Sequence, residues 1–183
     1  MRISVKSLIM AAMFAALTAI GALISIPIGP VPITLQDMIP MLAGLILGAE
    51  TGALSQLVYI LIGLIGLPVF AGGTGGIHSV FSVSFGYLIG FVLAAFVMGK
   101  VSSKIGKITF VKAFILCIIG TIVIYAIGIP YLYLLINNFL GKKITIAYAM
   151  KVGFIVFIPG DIIKAIFAAI FASRIVPLLK KAV

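Results

Sequence analysis

Hydrophobic residues run along this chain in long unbroken stretches, with few polar positions between them. Residues 51–99 are forty-nine consecutive positions without an Asp, Glu, Lys or Arg. A membrane-crossing helix needs roughly 20 mostly apolar residues, so this stretch holds two crossings and a connection. The whole pattern predicts six helical segments. They fall at about 7–26, 34–48, 51–66, 79–98, 110–136 and 150–179. The first ends at Pro27-Ile28-Gly29-Pro30-Val31-Pro32, which cannot continue a helix. The second is short and interrupted by Pro40, the fifth is long enough to tilt, and the sixth carries Pro159-Gly160 as a kink or break. The apolar runs are continuous, which excludes the alternating ~10-residue segments of a membrane β-barrel.

Composition strengthens this reading. The chain is 64% hydrophobic and 9% charged, against about 25% charged residues in soluble domains. Its mean hydropathy is +1.42. An all-α membrane protein of six transmembrane helices follows, surrounded by membrane lipids, with residues 1–183 as one domain. The basic start followed by an apolar run is similar to a signal peptide. However, 7–26 is longer than a usual signal core and leads into more membrane sequence, so it is read as the first span.

The net charge of +10 would suggest nucleic acid in a soluble protein. Here it reads as the bias of membrane proteins toward basic cytoplasmic loops. With the N-terminus inside, Arg2, Lys6, Lys100, Lys104, Lys107, Lys112, Arg174, Lys180 and Lys181 fall inside, against Lys142, Lys143 and Lys151 outside. Nine against three supports six spans with both termini cytoplasmic. The Pro-rich 27–32 connection, the 66–78 loop and the start of the sixth helix then share the outer face. Irregular backbone at membrane depth is tolerated where protein buries it or where it lines a cavity, so an outward-facing binding pocket is expected there.

Asp161 and Lys164 are the sharpest chemical signal. They lie three residues apart on one helical face, inside a span where each ionisable group costs about 2.5–3.5 kcal/mol to insert. One reading is a salt bridge that only fixes packing. The other is a polar ligand contact, with Asp161 accepting N–H groups and Lys164 donating to a carbonyl or carboxylate. Gly72, Gly73 and Gly75 lie in Ala71-Gly72-Gly73-Thr74-Gly75-Gly76, whose bare backbone allows close approach of a ligand or a tight hairpin. It is not a nucleotide loop, because no Gly-Lys in the chain is followed by Ser or Thr.

Thr34 reads as an N-cap of the second helix and Asp37 as a first-turn acid facing the helix dipole. Gln36 reads as a pocket residue or an interhelical polar group, and Tyr87 and His78 as interfacial or pocket candidates. His78 is read as structural and not as a metal ligand. Cys117 is the only cysteine and excludes a disulfide framework; in its apolar run it is expected to face lipid or core. Ala11, Ala12, Ala15, Ala16 and Ala19 form a small-residue stripe on the first helix. It suits internal packing or docking of another membrane subunit.

The chain resembles the BioY family, the biotin-binding S components of energy-coupling-factor (ECF) transporters. The likeness spans the six helices. It is carried by Pro30-Val31-Pro32-Ile33-Thr34-Leu35-Gln36, the 66–76 loop, Gly86-Tyr87-Leu88-Ile89-Gly90-Phe91 and Pro159-Gly160-Asp161-Ile162-Ile163-Lys164. Two departures stand out. Thr74 occupies the place where the family usually has Arg, and Ser82-Val83-Ser84-Phe85-Gly86-Tyr87 replaces Gly-Pro-Thr-Gly-Gly-Tyr.

The resemblance implies a membrane subunit that captures biotin from the outer face and has no cofactor, catalytic residue or metal. Its alanine stripe would meet the transmembrane coupling subunit, and partner ATPase subunits would supply energy. Asp161 would accept the ureido N–H groups of biotin, and Lys164 would meet either the ureido oxygen or the carboxylate. Competing readings are an S component for a different vitamin and an intramembrane enzyme. Against the enzyme, the chain has no His-Glu-x-x-His, no facing Ser/His pair and no carboxylate pair.

Overall fold

The computed structural model describes residues 4–181, with side chains to Leu178. Arg2 lies outside the described residues, as do the side chains of Lys180 and Lys181. Among the described residues there are seven α-helices: α1 (Val5–Leu23), α2 (Met38–Leu47), α3 (Ala49–Leu64), α4 (Phe85–Ile105), α5 (Phe110–Asn138), α6 (Ile146–Gly153) and α7 (Ile158–Lys181). By length and composition, α1, α4, α5 and the α6–α7 stretch to Leu178 can each cross a membrane, while α2 and α3 are shorter apolar helices. The six predicted segments correspond to α1 to α5 and to α6 with α7. The all-helical membrane architecture is as expected, apart from a two-residue antiparallel ribbon, β1 (Ser25–Ile26) with β2 (Ile33–Thr34), in the α1–α2 connection.

Three local expectations fail for related reasons. Thr34 does not cap α2; it lies in β2, and Asp37 takes the N-cap position. Pro40 does not interrupt α2, because the helix starts at Met38 and places Pro40 in the first turn. Pro159 likewise sits in the first turn of α7, and the break falls earlier, between α6 and a 3-10 turn at Ile155–Phe157. The first N–H groups of a helix have no intrahelical partner, so proline costs little there.

Core and surface invert the pattern of a soluble bundle. On α7, Ala165, Ala168, Ala169 and Ala172 are fully buried, whereas Ile163, Phe167 and Phe171 point outward. Without a hydrophobic drive between helices in lipid, close packing of small residues holds them together. Gly90 shows how close: a Cβ there would lie 2.9 Å from the Ile124 backbone of α5. Cys117 is buried in the core.

The helices alternate in direction. The Leu35 amide donates to Gly21 O at 3.2 Å, which sets the end of α1 beside the entry to α2. Gly99 on α4 packs against the α2–α3 turn at Gly48 and Ala49. Lys6, Lys100, Lys104, Lys107, Lys112 and Arg174 therefore gather at one end of the bundle, with the α2–α3 turn. Lys142, Lys143 and Lys151 lie at the other end, together with β1–β2, the glycine loop and the start of α7.

Candidate functional site

At the end that carries the irregular connections, the starts of α2 and α7 converge. Each brings a carboxylate: Asp37 at the N-cap of α2 and Asp161 in the first turn of α7. Negative charge is favoured at helix N-termini. Lys164, one turn further along α7, lies between the two acids. Its Nζ donates to Asp37 Oδ1 at 2.7 Å and Oδ2 at 2.6 Å, and to Thr34 O at 3.3 Å. It also ion-pairs with Asp161 Oδ1 at 2.8 Å. Asp161 and Lys164 are 5% and 6% exposed.

This constellation revises the sequence reading. Asp37 does more than face a helix dipole, because it shares Lys164 with Asp161. The two acids, counted as unpaired in the sequence, do meet, with the lysine between them. The group is formally anionic: two carboxylates and one ammonium.

Its hydrogen bonds are not all filled. Asp161 Oδ2 accepts from Tyr125 Oη at 2.5 Å. Asp161 Oδ1 is buried and is met by the Lys164 ammonium at 2.8 Å. A carboxylate oxygen has two acceptor positions, so one remains for a further N–H.

Asp161 lines a cavity of about 50 Å³ together with Val31, Pro32, Thr34, Gln36, Asp37, Met41, Ser84, Tyr87, Phe91, Thr121, Ile124, Tyr125, Phe157 and Lys164. Its mixture of apolar walls with a few polar groups is usual for small-molecule sites. Tyr87 donates to Gly153 O at 2.9 Å and meets Tyr125 edge-on, at 5.8 Å between ring centres. Gln36 Oε1 accepts from Tyr59 Oη at 3.0 Å. Gly21 makes room for this placement, since a Cβ on it would come within 2.9 Å of Gln36 Cα.

A second cleft of about 150 Å³ shares Pro32, Gln36 and Ser84 with the first and reaches Phe70, Ala71, Thr74, Ser79, Ser82 and Phe85. Gly72, Gly73 and Gly75 line neither space. Gly72 and Gly73 take positive φ in a turn closed by Phe70 and Thr74, and Gly75 packs under the Leu67 carbonyl. The glycines shape the loop, and Ala71 and Thr74 present it to the cleft. His78 is exposed on the turn Ile77–Phe81.

Sequence reasoning missed Tyr125, Thr121, Ser84 and Phe91. Thr121 and Tyr125 left a signal: they are polar, four residues apart and in the middle of a long apolar span. The alanine stripe divides. Ala11 is 2% exposed and packs internally. Ala12, Ala16, the half-buried Ala19 and the buried Ala15 line an apolar groove with Ile20, Tyr59, Ile62 and Val69.

Comparison with known proteins adds an independent line. The family model described as "BioY family" matches residues 1–181. A probable biotin transporter BioY from Lysinibacillus sphaericus is 48% identical over 179 residues, 98% of this chain and 91% of that protein. The biotin transporter BioY of Thermotoga maritima is 39% identical over 170 residues, 93% of this chain and 95% of its own. Among solved structures, the crystal structure of the S-component for biotin from an ECF-type ABC transporter superposes with a TM-score of 0.83. It is 34% identical and covers 97% of this chain and 92% of that one.

Proposed function

The chain belongs to the BioY family, and we propose that it is the biotin-binding, substrate-specific subunit of an ECF-type vitamin uptake transporter. The observation that carries this reading is Asp161, a buried carboxylate at the wall of a cavity, whose Oδ1 keeps one acceptor position beyond its ion pair with Lys164. Biotin has a ureido ring with two N–H donors, an apolar thiophane ring and an aliphatic tail ending in a carboxylate. A ureido N–H satisfies Asp161 Oδ1. Phe91, Tyr125 and Phe157 supply apolar wall for the sulfur ring, and the amide nitrogen of Gln36 is the donor for the ureido oxygen.

Lys164 then acts by holding Asp161 and Asp37 in place. Its three N–H groups already face two carboxylates and the Thr34 carbonyl. A further anion would meet a formally negative group, so the carboxylate of biotin points away from it. Of the two roles open to Lys164 in the sequence, contact with the carboxylate is disfavoured.

The site opens outward, with both termini in the cytoplasm. The basic residues at the opposite end of the bundle support this orientation. Ala12, Ala16 and Ala19 form the face toward a transmembrane coupling subunit, and partner ATPase subunits supply energy, since the chain has no phosphate loop. The protein binds and carries its ligand without catalysing a reaction on it.

Titration of the purified chain with a panel of vitamins tests the reading. Biotin should bind, and the chain should not hydrolyse ATP. Tight binding of thiamin or riboflavin with none of biotin would refute the substrate. Cysteines placed at Lys142 and Ser103 should react from opposite sides of the membrane; labelling from one side would refute the topology.

A further inference from the structure

The outer cleft has its own chemistry, distinct from the charged group beneath it. Ser79 is 7% exposed, lines the cleft, and its Oγ has no hydrogen-bond partner. Ser82 and Ser84 share a bond at 2.9 Å between their hydroxyls, and Thr74 donates to Ala71 O at 3.2 Å. Phe70 and Phe85 supply apolar wall. No Lys, Arg or His lines the cleft among the described residues.

The cleft therefore offers hydroxyl donors and apolar surface, but no cation. It adjoins the inner cavity, with which it shares Pro32, Gln36 and Ser84. A ligand whose donor-rich ring sits on Asp161 has its tail directed here, because the anionic group within repels a carboxylate and water lies outward. The Ser79 hydroxyl is a buried polar atom without a partner, free to bond a ligand.

We propose that this cleft seats the tail of the ligand through hydroxyl hydrogen bonds from Ser79 and the Ser82–Ser84 pair, without a counter-cation, so that the site accepts biotin derivatives with neutral tails, namely esters and amides. The proposal rests on the biotin reading above. A carbonyl oxygen accepts a hydroxyl hydrogen bond as a carboxylate does, only more weakly, so recognition resides in the ring and not in the charge of the tail.

Affinities of the purified full-length chain for biotin, biotin methyl ester and biotinamide test this. The three should agree within about tenfold, the span between hydrogen bonds to charged and to neutral acceptors. A larger loss for both neutral ligands means that a cation reads the tail and overturns the proposal. Ser79→Ala should weaken biotin binding by roughly fivefold, the worth of one hydrogen bond. It should leave the melting temperature of the ligand-free protein unchanged or raised, since the hydroxyl is unpartnered there. If Ser79→Ala instead lowers that temperature and leaves biotin affinity unchanged, the hydroxyl is structural and the tail seat is wrong. Failure of biotin itself to bind the unaltered chain sinks the vitamin reading. Biotin bound with both neutral ligands excluded sinks only the tail seat.

Discussion

Two polar clusters lie buried among the apolar helices, and they are satisfied to different degrees. Between α1 and α3, Thr18, Ser55 and Gln56 are fully buried. Thr18 Oγ1 donates to Phe14 O at 2.8 Å and lies 3.2 Å from Gln56 Nε2; Gln56 Nε2 also donates to Ser55 Oγ at 3.0 Å; Ser55 donates to Gly52 O at 2.7 Å. This cluster is neutral, and none of its side-chain polar atoms lacks a partner. Between α2, α5 and α7, the Asp37–Lys164–Asp161 group is charged, and Asp161 Oδ1 keeps an acceptor position beyond its ion pair with Lys164. A closed neutral cluster has little left to offer a ligand and serves to hold two helices in register. An open charged one retains an unmet demand that a ligand can fill. Burial and polarity are common to both, so neither property alone identifies a binding site in a membrane protein.

The largest test of this contrast is Lys164→Met. It leaves two buried carboxylates without their cation, and breaking a buried ion pair costs about 3–5 kcal/mol. The melting temperature in detergent should fall and biotin binding should be lost. Adding Asp37→Asn should restore part of the stability, because the two residues act as a unit. Full additivity of the two changes would show that the group is not coupled.

Asp161→Asn comes next. It keeps shape but weakens acceptance of an N–H, and truncating one side of a buried charged hydrogen bond costs about 2–5 kcal/mol. Biotin affinity measured by calorimetry should fall at least roughly 30-fold, with a smaller effect on stability than Lys164→Met. Unchanged binding in a folded variant would make the charged group structural, like its neutral counterpart.

The face of α1 beside the neutral cluster should separate packing from docking. Ala11→Leu overfills a closed interface, which costs about 1–3 kcal/mol, and thermal unfolding should register it. Ala12→Leu or Ala16→Leu should leave folding and biotin binding intact while reducing biotin uptake by cells that contain the partner subunits. Equal losses of binding and uptake would assign the outer alanines to internal packing as well.

The smallest effect is expected at the neutral cluster itself. Gln56→Leu removes hydrogen bonds worth about 1 kcal/mol net, because Thr18 and Ser55 keep their backbone acceptors. Stability should drop slightly, and the dissociation constant for biotin should stay within about twofold. A loss of affinity as large as that of Asp161→Asn would abolish the distinction between the clusters.

Charge-free length determined by itself that this chain forms membrane helices, because apolar runs of that length have no stable home in water. The distribution of lysines and arginines set the alternation of the helices, and the spacing of Asp161 and Lys164 marked one half of the site. These are local or additive properties, legible along one dimension. The tertiary structure decided the rest. Asp37 reads as a capping acid until α2 and α7 meet, and only their meeting makes it the stronger partner of Lys164. Pro40 and Pro159 read as breaks, yet they open helices, because the starting residue depends on where the preceding ribbon and turn release the chain. Gly72, Gly73 and Gly75 read as either a ligand contact or a tight hairpin, and they shape a turn whose neighbours face the cleft. Ala11 and Ala12 are adjacent and chemically identical, but one is buried and the other exposed. In each case the deciding contact joins residues distant in sequence, and a one-dimensional pattern carries no term for it.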